Sequence, residues 1–211
     1  GLGDVYKRQE DTLRQEYDLL QGVRHPQIPR PLSYLEWEGA EYLVREYVEG
    51  VSLYEQVTAK GPLAPDKIRS ITLSLCQVLH YLHSQHPPVI CRDVKPQNIV
   101  LDSSGCCHLI DLGTARRHRP EKQGDTVFMG TQVTAPPEQF GYQQTDQRSD
   151  IYSLGILMRF LSMGNFDPPS SNVPSGSLGR IIRRCTAFDP RNRYSSCLLY
   201  TSDAADDLIG V

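Results

Sequence analysis

Residues Cys91-Arg92-Asp93-Val94-Lys95-Pro96-Gln97-Asn98-Ile99-Val100, followed by Asp111-Leu112-Gly113, decide how this 211-residue chain is read. They place a carboxylate able to act as a base (Asp93), a cation two residues on (Lys95) and two hard-oxygen side chains (Asn98, Asp111) in one short stretch. Apolar runs around them predict short strands at Val89–Cys91, Ile99–Leu101 and His108–Ile110. Phosphoryl transfer calls for this set, because its transition state spreads charge over phosphate oxygens and is stabilised by positioning and electrostatics. Asp and Asn are also common turn residues, so a capped turn is the plainer account of either run alone. The order and spacing of both runs together separate the two readings.

R-D-x-K-x-x-N followed by D-x-G resembles the eukaryotic-like Ser/Thr protein kinases, including those of bacteria. Other stretches extend the resemblance over roughly residues 10 to 196. Ala135-Pro136-Pro137-Glu138 resembles the A-P-E box that closes an activation segment starting at Asp111. Asp150-Ile151-Tyr152-Ser153-Leu154-Gly155 resembles the buried start of the family's central helix. Arg193, after Phe188-Asp189-Pro190, stands where the family keeps the partner of the A-P-E glutamate. Glu16, before Leu19-Leu20 and His25-Pro26, resembles the glutamate of the regulatory helix, and Tyr42–Gly50 a strand entering the hinge that holds adenine. The implied fold is α+β and protein-kinase-like: a partial small β lobe with its regulatory helix and hinge over 10–50, and a mainly helical C-lobe over 51–196.

The resemblance also implies roles. Asp93 is the expected base toward a substrate hydroxyl and Lys95 the cation on the transferring phosphate, with lysine there favouring Ser/Thr substrates. Asn98 and Asp111 are the expected ligands of Mg²⁺, with Mn²⁺ as the alternative ion. Glu46 and Val48 are expected to hold the adenine of ATP through backbone groups, over Val100. Arg92 is the expected receiver of a phosphate on the activation segment, for which Thr126 is the candidate, unless Thr126 is an ordinary loop residue. Thr131 resembles the substrate-side threonine. Glu138, Asp150 and Arg193 are expected to be structural. Glu16 is either an exposed helix glutamate or a carboxylate awaiting a cation.

Some positions depart from the family pattern. Cys91 replaces a histidine, Leu112 a phenylalanine, and Val133-Thr134 a Gly-Tyr pair. Arg45 falls at the gatekeeper position beside adenine, where a buried guanidinium needs a partner, and Glu16 is the candidate.

The two ends read differently. The codons GAT GTG TAT AAG AGA CAG encode Asp4-Val5-Tyr6-Lys7-Arg8-Gln9. Their reverse complement, shifted by one nucleotide, encodes Cys197-Leu198-Leu199-Tyr200-Thr201-Ser202. One inverted DNA repeat therefore accounts for both ends, which resemble translated transposon-end sequencing adapters. Residues 1–9 and 197–211 are accordingly expected to be adapter-like scars. The intervening sequence holds neither the family's Gly-rich phosphate loop nor its strand lysine, so the chain is expected to be a truncated, inactive piece with a bare sheet edge.

Composition bounds the rest. A formal net charge of −3 offers no basic field for nucleic acid, and no apolar run is long enough for a membrane span. The cysteines form no C-x-x-C pair and fit free thiols in a reducing cytosol, although a longer parent could carry a membrane anchor elsewhere. His80, His83 and His86 invite comparison with a metal site, but Leu79 and Leu82 around them favour an ordinary packed helix. Periodicity predicts helices over 11–22, 52–57, 65–84, 150–163 and 177–188, and a hairpin turning at Glu38-Gly39. Residues 116–127 read as polar loop. Protein Ser/Thr side chains are the expected substrates. The alternatives are a pseudokinase or binding scaffold, and a small-molecule phosphotransferase of the same broad fold.

Overall fold

A hairpin and one amphipathic helix build the small lobe. The computed structural model describes residues 4–8, 12–117, 135–140, 145–166 and 173–197. A first strand, β1 (Asp4–Arg8), precedes helix α1 (Thr12–Gln21), whose buried stripe is Leu13, Glu16, Leu19 and Leu20. A carboxylate on that stripe is the unusual feature, since Glu is seldom buried without a partner. Strands β2 (Pro31–Trp37) and β3 (Ala40–Arg45) follow. Their turn has φ of 49° at Glu38 and 74° at Gly39, the left-handed pair that matches the twist of a two-residue hairpin.

Sheet order is β1-β3-β2, all antiparallel, with Asp4 opposite Arg45 and Arg8 opposite Glu41. The edge of β3 is therefore not bare. β1 supplies the main-chain partners, and a strand edge accepts any backbone that can lie extended beside it. Pairing of this kind is independent of where the sequence of residues 4–8 came from.

The larger lobe begins at β4 (Val51–Ser52) and α2 (Leu53–Lys60). Ser52 and Glu55 form a reciprocal capping box: Ser52 Oγ accepts the Glu55 N–H at 3.1 Å, and Glu55 Oε2 accepts the Ser52 N–H at 3.0 Å. Helix α3 (Pro65–His83) buries Ile68, Ile71, Leu75, Val78, Leu79 and Leu82. Three short strands follow: β5 (Val89–Ile90), β6 (Ile99–Leu101) and β7 (Cys107–Leu109), with β6 between β4 and β7.

Several helix boundaries and one loop differ from the sequence reading, and α2 runs on to Lys60. Arg116–Arg117 are not loop but a strand, β8, antiparallel to β5. A two-residue pairing uses only backbone groups and leaves no side-chain pattern to read. Helix α4 (Gln147–Met163) starts before Asp150 because Asp146 caps it, accepting the Arg148 N–H at 2.8 Å. Helix α5 (Gly176–Cys185) stops short of Phe188, which is 77% exposed. Gly155 lets α4 approach the end of α5, since a Cβ there would lie 2.6 Å from that of Cys185.

Candidate active site

The chain from β5 to Gly113 folds back on itself and gathers the polar residues. Asp93, 6% exposed, lies with its Oδ2 2.6 Å from Lys95 Nζ. Asn98 Nδ2 donates to Asp93 at both the backbone O (3.1 Å) and Oδ2 (3.2 Å). That leaves Asn98 Oδ1 as the atom with lone pairs to offer a metal. The Ile110 N–H donates to the Asn98 carbonyl at 2.9 Å, which brings Asp111 alongside Asn98. Asp111 Oδ1 accepts the Gly113 N–H at 2.8 Å. These four residues are brought together.

Asp150, fully buried in the first turn of α4, holds this loop from beneath. Its carboxylate accepts the Arg92 N–H at 2.7 Å, the Cys91 N–H at 2.9 Å and His83 Nε2 at 2.7 Å. Arg92 has φ of 69°, a strained conformation for a residue with a Cβ, and two of the three bonds to Asp150 clamp it there. Burial works against charge on His83, but the Asp150 carboxylate and the Cys197 thiol outweigh it and push its pKa up to about 10. Sequence reasoning missed this role of His83. Its helical setting was visible, but Asp150 lies 67 positions away and only folding reveals the pair.

Glu138 and Arg193 form a buried bidentate pair, and Ser149 Oγ also donates to Glu138 at 2.9 Å. Cys91 and Leu112, two of the departures from the family pattern, are buried and apolar, 0% and 2% exposed. Thr126, Thr131 and Val133-Thr134 lie outside the described residues. Asp102 and Cys106, on the turn between β6 and β7, cluster with His108 of β7. There Asp102 is held by the N–H groups of Ser104 and Cys106 and by His108, which closes the turn.

A cavity of about 400 Å³ opens beside the loop, with Arg45, Glu46, Val48, Gly50, Val100 and Ile110 in its lining. The Glu46 side chain is turned to Arg30, whose Nε donates at 2.6 Å and holds the carboxyl pKa below its usual range. The Glu46 N–H donates to the Arg30 carbonyl at 3.0 Å. Gly50 is required by close approach, since a Cβ there would fall 2.2 Å from the Leu101 carbonyl oxygen. Glu16 and Arg45, each 4% exposed, pair at 3.8 Å, and Glu16 Oε1 also accepts the Leu112 N–H at 3.3 Å.

A family model described as "Protein kinase domain" matches residues 3–177. The chain belongs to the protein kinase family. Among similar proteins, Serine/threonine-protein kinase B of Synechocystis is 29% identical over 92% of this chain and 37% of its own length. Serine/threonine-protein kinase PknA of Nostoc is 30% identical over 91% of the chain and 38% of its own length. Serine/threonine-protein kinase 36 of Pongo abelii is 32% identical over 75% of the chain and 12% of its own length. The chain thus spans little more than a third of these bacterial relatives. The α+β kinase fold accounts for a gathered loop between a small sheet and a helical lobe. Among the described residues, no helix of this kinase domain is long and apolar enough to cross a membrane.

Proposed function

We propose that the protein from which this chain comes is a cytoplasmic Ser/Thr protein kinase that transfers the ATP γ-phosphate to protein hydroxyls. One observation carries the reading: Asp93 lies 2.6 Å from Lys95, is held by Asn98, and is joined through the Asn98–Ile110 bond to Asp111. Adenine sits in the cavity, meeting the Glu46 carbonyl and the Val48 N–H over Val100. Asn98 and Asp111 would hold Mg²⁺, whose charge would offset that of the phosphates; both offer hard oxygens, as that ion requires. Asp93 takes the proton of the substrate hydroxyl as its oxygen forms the new bond to phosphorus. The bond from phosphorus to the ADP oxygen breaks, and Lys95 stabilises charge on the phosphoryl oxygens. In this reading Arg92 is the receiver of a phosphate on the activation segment, for which Thr126 is the candidate, and Thr131 is the substrate-side threonine.

The Glu138–Arg193 pair favours a protein substrate over a small molecule, because it anchors the end of an activation segment. Residues 1–9 and 197–211 are adapter-derived in this reading. The test is to amplify outward from the codons for Glu10 and Ser196 and assay the uninterrupted protein with labelled ATP and a Ser/Thr-rich protein. A Gly-rich loop and strand lysine upstream, with label on Ser or Thr lost in D93N, support the reading. Native codons running through Asp4–Gln9, or transfer that survives D93N, overturn it.

A further inference from the structure

Strand alternation gathers a carboxylate, a thiol and an imidazole at the opposite end of β6 from Asn98. Asp102 and Cys106 face each other across the β6–β7 turn, the Asp102 N–H donating to the Cys106 carbonyl at 3.0 Å. His108 follows two residues after Cys106 and so shares its face of the hairpin. Cys107, between them, turns into the core and is 2% exposed. The Ser104 N–H, the Ser104 hydroxyl and the Cys106 N–H all donate to Asp102 Oδ1, at 2.9, 2.6 and 3.0 Å. That fixes the carboxylate with Oδ2 toward His108 Nε2, 2.9 Å away. The Cys106 thiol makes a long contact, 3.9 Å, to the Cys107 carbonyl. One donor atom from each of the three half-buried residues lies within 4.8 Å of the other two. Two donors on one tetrahedral zinc ion stand about 3.3–3.6 Å apart, so the cluster needs only small side-chain shifts to close on an ion.

We propose that Asp102 Oδ2, Cys106 Sγ and His108 Nε2 bind one zinc ion, with water as the fourth ligand. A second cavity, of about 590 Å³, is lined by Asp102 and His108 together with Glu46, Tyr47 and Val48, and gives that water room. Thiolate and imidazole select zinc over magnesium, whereas the oxygen-only pair of Asn98 and Asp111 suits magnesium. The two places therefore sort ions by donor type. Three donors hold the far oxygen of the ligating carboxylate, as outer-shell groups do in metal centres. On binding, the ion replaces the Asp102–His108 hydrogen bond. The Nε2 proton moves to Nδ1 and the thiol proton leaves to water. The Lys67 ammonium lies against Gly105, and the two anionic donors offset the charge of the ion beside it. The site goes beyond the kinase reading and does not depend on it.

The experiment titrates Co²⁺, a coloured stand-in for Zn²⁺, into this chain in the presence of excess Mg²⁺. A thiolate-to-cobalt charge-transfer band with the strong visible bands of a four-coordinate ion, complete at one equivalent and erased by Zn²⁺, is the expected result. C106S should abolish the charge-transfer band, H108Q should weaken Co²⁺ binding at least about tenfold, and D111N should change neither. No charge-transfer band in the wild type, or a band lost in D111N, overturns the site. So does a band that survives C106S and disappears in C197A, which places the ion at the thiol beside His83. X-ray absorption on the zinc-loaded wild type needs no variant to fold: one sulfur among four neighbours is expected, and none, or two or more, overturns the site. In urea, saturating Zn²⁺ should raise the unfolding midpoint of the wild type and not of C106S; an equal rise in both means that zinc binds elsewhere and overturns the proposal. A parent protein without kinase activity would leave each of these readouts unchanged, so the two readings fail separately.

Discussion

Arg193 grips Glu138 through two parallel hydrogen bonds, Nη1 to Oε1 at 2.6 Å and Nη2 to Oε2 at 2.9 Å. Its other N–H groups donate to the carbonyls of Ala187, Arg148 and Phe188 at 2.8, 3.1 and 3.1 Å. All five donors of the guanidinium are therefore used, at 0% side-chain exposure. The pair ties the A-P-P-E segment, the start of α4 and the loop after α5 into one body.

That arrangement makes Arg193 sensitive to substitution. R193M strands Glu138 as a lone buried charge and should cost about 3–5 kcal/mol of stability in urea unfolding. E138Q/R193M, which buries no charge, should recover a good part of that loss. Equal losses for the single and double variants would show that the charge pairing is not what holds the segment.

His83 makes stability depend on pH. Its folded pKa, about 10, lies above the ordinary value of 6.5, so the charged form is favoured by folding. The stabilisation is complete below about pH 6.5 and is lost as pH rises through 10, an effect of about 2–4 kcal/mol. Urea midpoints should fall across that window in the wild type and fall much less in H83N. A wild-type profile as flat as that of H83N would remove Asp150 as the cause.

Asp150 should matter for the loop more than for the core. D150N weakens acceptance from the N–H groups of Cys91 and Arg92, so the strained Arg92 conformation loses its clamp. A stability loss of about 2–3 kcal/mol is expected, with amide exchange at residues 91 and 92 rising first. Exchange spread evenly over α3 and α4 instead would mean that Asp150 supports the helices and not the loop.

Asp93 and Asp111 should separate kinetically in the uninterrupted protein. D93N is expected to lower kcat about 10²–10⁴-fold while leaving the KM for ATP within a few-fold. D111N is expected to abolish the Mg²⁺ dependence of nucleotide binding. Both variants should unfold close to the wild type, since neither residue holds the core. A D93N enzyme with normal kcat would rule out Asp93 as the base.

Gly50 is the steric test of the cavity. G50A must push the hinge away from the Leu101 carbonyl, at a cost of about 1–3 kcal/mol, and weaken binding of an ATP analogue. Unchanged binding and stability would show that the hinge yields freely there.

Much of this protein was legible before folding because the information is local. The spacing of Asp93, Lys95, Asn98 and Asp111, the stripe of α3 and the Glu38-Gly39 turn each depend on neighbours within a few positions, where backbone periodicity acts. The β4 pairing, the early start of α4 at Asp146 and the β8 strand were not legible, because backbone hydrogen bonds and a lone cap leave little side-chain signature. Nor was the His83–Asp150 bond, which joins an ordinary-looking helical histidine to a distant carboxylate. The Arg45–Glu16 pairing was a candidate from sequence, but that Glu16 also takes the Leu112 N–H was decided only by tertiary structure. Sequence determined which groups the chain offers; burial decided which of them had to meet, because a charge taken out of water is stable only beside the partner the fold brings to it.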